Sequence, residues 1–372
     1  MTLSDQQIAG AKTAFENFAR GIRLAAKAPG ALSSITEMLA QVGLGDDTNK
    51  FVDLYFEHRG TPGELWEKAK AANISEANIS KLKLQGKLAY LTLNNANLAA
   101  SLQGEIGSVE SLAQLADKDL YSAEAWKTRL TSLANSNEEV LKTIIPPAYA
   151  SEKAADRLEA YAADLARKVR LSFPTRIVGR RIEKDELRLG DNHDALKTPV
   201  RAFLKNAEGL GFTLGRTPLG AFIKQNQDKL FQGIAADKVK DTIQSVKTVQ
   251  RLYQITPTDE SLKVLFDQGF KSAYDVVAFP YEVFVDRFGH LFPSREEARL
   301  VYRKAQQVSV VTHNFFTIAK QLDSAPPVYA MSAPAVVREN TKNELIKHYP
   351  TMESLFGSLD FCECEHCRSV LS

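Results

Sequence analysis

Cysteine is nearly missing from this chain. The 372 residues contain three, and all of them fall between Cys362 and Cys367. Thiols so close together cannot tie distant segments, so no disulfide framework supports the fold. An excess of one charge is missing too. Lys and Arg number 47 against 45 Asp and Glu, and a net charge of +2 offers no broad field for nucleic acid or anionic lipid. Nucleic-acid binding is therefore not expected. No run approaches the roughly twenty apolar residues of a membrane helix. The opening MTLSDQQIAGAKTAFENF lacks the charged start, apolar centre and small-residue cleavage site of a secretory signal. Synthesis in the cytoplasm is expected, with any export using a route other than an amino-terminal signal. Proline (14) and glycine (20) are thinly spread, which leaves long stretches of Ala, Leu, Lys, Glu and Gln free to continue helices.

The familiar catalytic signatures are also missing: there is no H-E-x-x-H, G-x-S-x-G, P-loop or EF-hand sequence. GLGFTLG, from Gly209 to Gly215, follows the helix-like VRAFLKNAE rather than a strand and lacks the third-glycine spacing of a dinucleotide loop, so it reads as a plain loop. The six histidines, His58, His193, His290, His313, His348 and His366, are scattered, and nothing pairs His313 with a nucleophile. His313 falls between the apolar edges of a long helix, where a partly buried structural histidine is expected.

What is present is a globular balance, 44% hydrophobic and 25% charged, over a length that accommodates two or three domains. Apolar residues recur at intervals of three and four in the opening segment, at Ile8, Ala11, Phe15, Phe18, Ile22 and Ala25. Ala298, Val301, Ala305, Val308, Thr312, Phe315, Ala319 and Leu322 repeat the rhythm, and Ser294 with Glu297 supplies a capping-box start. A helix from Arg295 to Leu322 would be roughly 40 Å long. Ser151 to Leu171 reads as another, with Ala154, Leu158, Tyr161, Leu165 and Val169 facing inward, and Leu82 to Leu102 as a third. VRLSF and RIVGRRI, on either side of Pro174, have β-branched character, but the proline and charges predict a bent connector. The expected fold is all-α: multi-helix, bundle-like domains with long amphipathic helices and little or no sheet.

Phe173 to Pro199 and Asp323 to Ala335 read as spacers. The expected organisation is an amino-terminal helical segment at 1–60, a helical domain at 61–190 and a second one at 191–322 that ends in the long helix. A linker and the start of a cysteine-bearing domain follow at 323–372. EIGSVESLAQL places Ile106, Ser108 and Leu112 as QGFKSAYDVVAF places Phe270, Ser272 and Val276, a pattern that suggests a reused helix-turn-helix unit. Arg167, Lys168, Arg170, Arg176, Arg180, Arg181 and Lys184 form a basic stretch that reads as a solvated face, with docking to an acidic partner as the alternative.

FCECEHCRS offers Cys362, Cys364, His366 and Cys367 as metal ligands. His366 and Cys367 are adjacent and poorly placed to share one ion, and no second C-x-x-C exists, so thiols packed at a helix start are the favoured reading. No cofactor is expected. A lowered pKa at Cys367, were it to cap a helix, would instead make it a nucleophile, but no orienting group can be named.

KVRLSFPTRIVGRR, VRAFLKNAEGLGFTLGRTPLGAFI and VQRLYQITPTDESLKVLFDQGFKSAYDVV, followed by ESLFGSLDFCECEHCRSVLS, resemble the toxin-complex A components of insect-associated bacteria. The terminal motif, with Phe361, Cys362, Cys364, His366, Cys367, Arg368 and Ser369, also resembles the Salmonella virulence plasmid A-protein family. Coverage runs from Leu84 onward, and the first eighty residues rest on periodicity alone. In that family a proline-led helix follows the motif, whereas this chain stops at Ser372, so an amino-terminal fragment is expected. The resemblance implies a non-catalytic part of the helical shell of a pentameric, pore-forming translocation subunit, released as part of a toxin complex with other subunits. Membrane contact would then come through regions not in this chain. The alternative is a helical adaptor whose cysteine-bearing end grips a metal or a partner.

Overall fold

The computed structural model describes residues 4–27, 29–149 and 154–324. Every regular element among them is helical, with no strand, as the spacing predicts. The chain divides into two units, Met1–Ser172 and Phe173–Ser372. That division falls inside the 61–190 segment of the sequence-based organisation.

The first unit contains α1 (Asp5–Ala25), α2 (Ile35–Val42), α3 (Asp47–Glu57), α4 (Pro62–Ala71), α5 (Glu76–Thr92), α6 (Ala96–Ile106), α7 (Gln114–Asp117), α8 (Ala123–Leu133), α9 (Glu138–Ile144) and α10 (Ala154–Ser172). Helix α10 packs on α8 and α5 and buries Tyr161, Leu165 and Val169 completely, in the predicted rhythm. A smaller core gathers Val42, Phe51, Leu65, Ile74 and Ile79 beneath α2 to α5.

The helix expected over Leu82 to Leu102 is two. Leu93 and Asn94 adopt left-handed backbone, and the Asn95 side chain accepts from the Leu98 amide to start α6. The break is a buried polar joint. Asn95 Nδ2 donates to the Ile144 carbonyl at 2.8 Å, the Tyr161 hydroxyl donates to the Thr92 carbonyl at 2.8 Å, and the Ala96 amide donates to Ser33 Oγ at 3.1 Å. Each bond satisfies a group that would cost stability if buried alone.

The second unit contains α11 (Pro174–Glu183), α12 (His193–Gly209), α13 (Leu219–Leu230), α14 (Val239–Ile255), α15 (Asp259–Asp267), α16 (Ala273–Val277), α17 (Tyr281–Phe288) and α18 (Arg295–Ser324). One continuous core runs through it from Val178 to Ala305. It includes an aromatic cluster in which Phe284 meets Phe270, Phe288, Phe292 and Tyr302 at ring-centre distances of 5.4 to 6.0 Å. The first half of α18 is the spine on which α14, α16 and α17 lie.

Two readings are corrected here. The connector around Pro174 is helical, because Pro at the first helical position forfeits no helix bond and Ile177, Val178 and Ile182 bury one face of α11. The spacer from Phe173 to Pro199 accordingly holds α11 and the start of α12, which runs through Pro199. The two-copy repeat is better described as a recurring way of starting a helix. Ser108 and Ser272 accept from the amides of Ser111 and Asp275, with Ile106 and Phe270 buried two residues before them. Leu32–Ser34–Met38 and Phe292–Ser294–Ala298 have the same spacing and the same serine cap. A capped serine flanked by a clamp of apolar side chains needs no shared domain ancestry.

The GLGFTLG segment is a packed loop. Gly215 sits at a φ of +80°, where a Cβ would come within 3.0 Å of the Tyr253 ring, and Thr175 Oγ1 bridges the Phe212 carbonyl and the Leu214 amide.

Candidate functional site

Three polar clusters among the described residues tie helices together. Arg181, from the basic stretch, is buried rather than solvated. Its Nε lies 3.2 Å from Asp259 and its Nη2 donates to Glu260 at 2.9 Å, both in the first turn of α15. Burial opposes its charge, but the facing carboxylates outweigh that and hold the guanidinium more firmly protonated than usual. Arg170 is also buried, Arg176 pairs with Glu208 at 3.0 Å, and Lys168 pairs with Asp164 at 2.9 Å. Of the seven, Arg167 and Lys184 are exposed and the other five are buried or half-buried.

His193 is 1% exposed and has both ring nitrogens occupied. The Leu189 amide donates to Nδ1 at 3.0 Å, so Nε2 carries the proton and donates to Asp185 at 2.8 Å. Lys197, at 2.6 Å, and then His193 hold the Asp185 carboxyl down to about 2. A histidine with no free nitrogen cannot serve as a base, and this pair pins the entry to α12. It escaped the sequence reading because eight residues separate the partners and no motif marks them. His313, expected to be partly buried, is exposed on α18.

Glu297 departs from its expected role. Ser294 Oγ accepts from the Glu297 amide at 3.1 Å, which is half of a capping box, while the Glu297 carboxylate accepts from the hydroxyls of Thr258 and Ser261. The carboxylate thus joins α18 to the start of α15.

Helix α1 is different in kind. Ser4 and Gln7 form a complete capping box at its start. Its apolar stripe is nevertheless uncovered: Ile8 is 52% exposed, Phe15 71%, Phe18 67% and Ile22 55%, with Ala11 and Ala25 also exposed, and residues 6–18 are exposed on every side of the helix. The side turned inward carries Arg20, which pairs with Asp53 and, at 3.4 Å, with Glu57 of α3, and the half-buried Ala19 and Leu24. At about 100° per residue, Arg20 lies roughly opposite the stripe. Exposed ion pairs contribute about 0–1 kcal/mol each. Covering a large apolar side chain contributes about 1.5–3 kcal/mol. The helix is therefore held by its weaker face and leaves its stronger one open. This is the candidate site: an adhesive surface with no reactive group in it.

Family models, curated proteins and solved structures give no match to the chain.

Cys362, Cys364, His366 and Cys367, with the rest of the motif at Phe361, Arg368 and Ser369, lie outside the described residues. Among the described residues no group of three or more His, Cys, Asp or Glu is placed to hold a metal ion, and no helix is long and apolar enough to cross a membrane.

Proposed function

We propose that this chain is a non-catalytic helical scaffold, the shell portion of a translocation subunit of the toxin-complex A type. In this reading it works by presenting helix faces to copies of itself and to other toxin-complex subunits, and it is released with them rather than acting alone. The observation that carries the assembly part is the outward stripe of α1, a surface of large apolar side chains that a finished particle would cover. Supporting it, the buried Arg181 guanidinium and the buried His193 ring are tied to the starts of α15 and α12. The toxin-complex identity rests on the sequence resemblance from Leu84 onward.

The test is capture of the native particle from producing cells with an antibody to this chain, followed by electron microscopy. A large particle with five-fold symmetry is expected. A small free protein that turns over a substrate would overturn the reading.

A further inference from the structure

Resting on the reading of the chain as an assembling scaffold, we infer that α1 pairs with α1 of a second copy, as an antiparallel two-helix seam. The stripe at 8, 11, 15, 18, 22 and 25 alternates steps of three and four without a slip, the register of a coiled-coil seam, with the small Ala14 and Ala19 on its flanks. That unbroken register, with every large side chain of the stripe on it, fits a second helix as occupant.

The order of sizes along the seam argues for a second copy in one direction. When two copies run antiparallel, Ile8 faces Ala25, Ala11 faces Ile22 and Phe15 faces Phe18, and the two-fold axis repeats each layer. Every outer layer then joins one large and one small side chain, and the aromatic layers fill the middle. Parallel copies would instead stack Ile on Ile and Ala on Ala, leaving layers alternately crowded and empty. Gly21 lies beside the seam with open space where a Cβ would be. A glycine weakens a helix, and at this place it leaves room for a second backbone to approach.

The four large side chains together present on the order of 500 Å². Two copies would cover about 1,000 Å², the size at which a specific contact becomes plausible, at its weaker end. A two-fold contact cannot lie between neighbours in a five-membered ring, so it would join two free chains or two rings.

The test is sedimentation of the full chain over a concentration series. A dimer is expected, and its mass should halve in Phe15→Asp/Phe18→Asp with helix content unchanged, since neither side chain belongs to a core. A charge exchange then tests direction. Ala11→Glu alone and Ile22→Lys alone should each be monomeric, and their mixture should recover the dimer, because only antiparallel copies place residue 11 against residue 22. A wild-type chain that stays monomeric to its solubility limit overturns the inference, as does a dimer indifferent to the aspartates or a mixture that fails to pair. Retention on phosphatidylcholine vesicles that is lost in the double aspartate variant would overturn it in favour of lipid. None of these outcomes decides whether the native particle has five-fold symmetry, so the two proposals fail separately.

Discussion

Helices α1 and α18 carry the same three-and-four rhythm and meet opposite fates. Ala298, Val301 and Ala305 of α18 are wholly buried among α14, α16 and α17, while the corresponding stripe of α1 faces solvent. Periodicity dictates that a helix has an adhesive face. What covers that face is decided by contacts distant in sequence. On α18, Glu297 reaches Thr258 and Ser261 and seats the helix with its apolar side inward. On α1, Arg20 reaches Asp53 and Glu57 and seats the helix with its apolar side outward.

This contrast can be broken most sharply with phenylalanines. Phe284→Ala, in the aromatic cluster under α18, should lower unfolding free energy by about 3–5 kcal/mol in a denaturant titration. Phe15→Ala at low protein concentration should stay within about 0.5 kcal/mol of wild type. Equal costs would mean that α1 is not open. Arginines give a second contrast. Removing the buried guanidinium in Arg181→Ala takes away the cation that faces Asp259 and Glu260 and should cost about 3 kcal/mol, with Arg181→Met no better, since a thioether cannot replace the charge. Arg20→Ala should cost less than about 1 kcal/mol.

The smallest effect concerns pH. The Asp185 carboxyl is depressed to about 2 in the folded chain, below an ordinary value of about 3.9. Its stabilising contribution is therefore complete above that ordinary value and is lost as pH falls through about 2. Stability measured across that window should fall less steeply in Asp185→Asn than in wild type, and identical slopes would remove Asp185 from the account of α12.

The all-helical class was legible because sparse proline and glycine left little else for the chain to do. The start of α18 was legible at Ser294, and the inward face of α10 at Tyr161 and Leu165. The break at Leu93–Asn94 was not, since apolar spacing continues across it and only the buried bonds of Asn95 reveal the joint. Nor was the fate of the basic stretch: the two acids nearest Arg181 lie nearly eighty residues away at Asp259 and Glu260, with Glu186 farther off at 3.7 Å. At the candidate site, the stripe of α1 could be read from spacing. Its outward direction could not, because it depends on which acids Arg20 meets.

Amide hydrogen exchange along α1, followed as protein concentration rises, asks most directly whether another protein covers the seam. Exchange between Ile8 and Ile22 should slow with concentration, while amides from Ala298 to Ala305 keep one rate throughout. Exchange in α1 that stays equally fast at every concentration would contradict the seam's role as a contact.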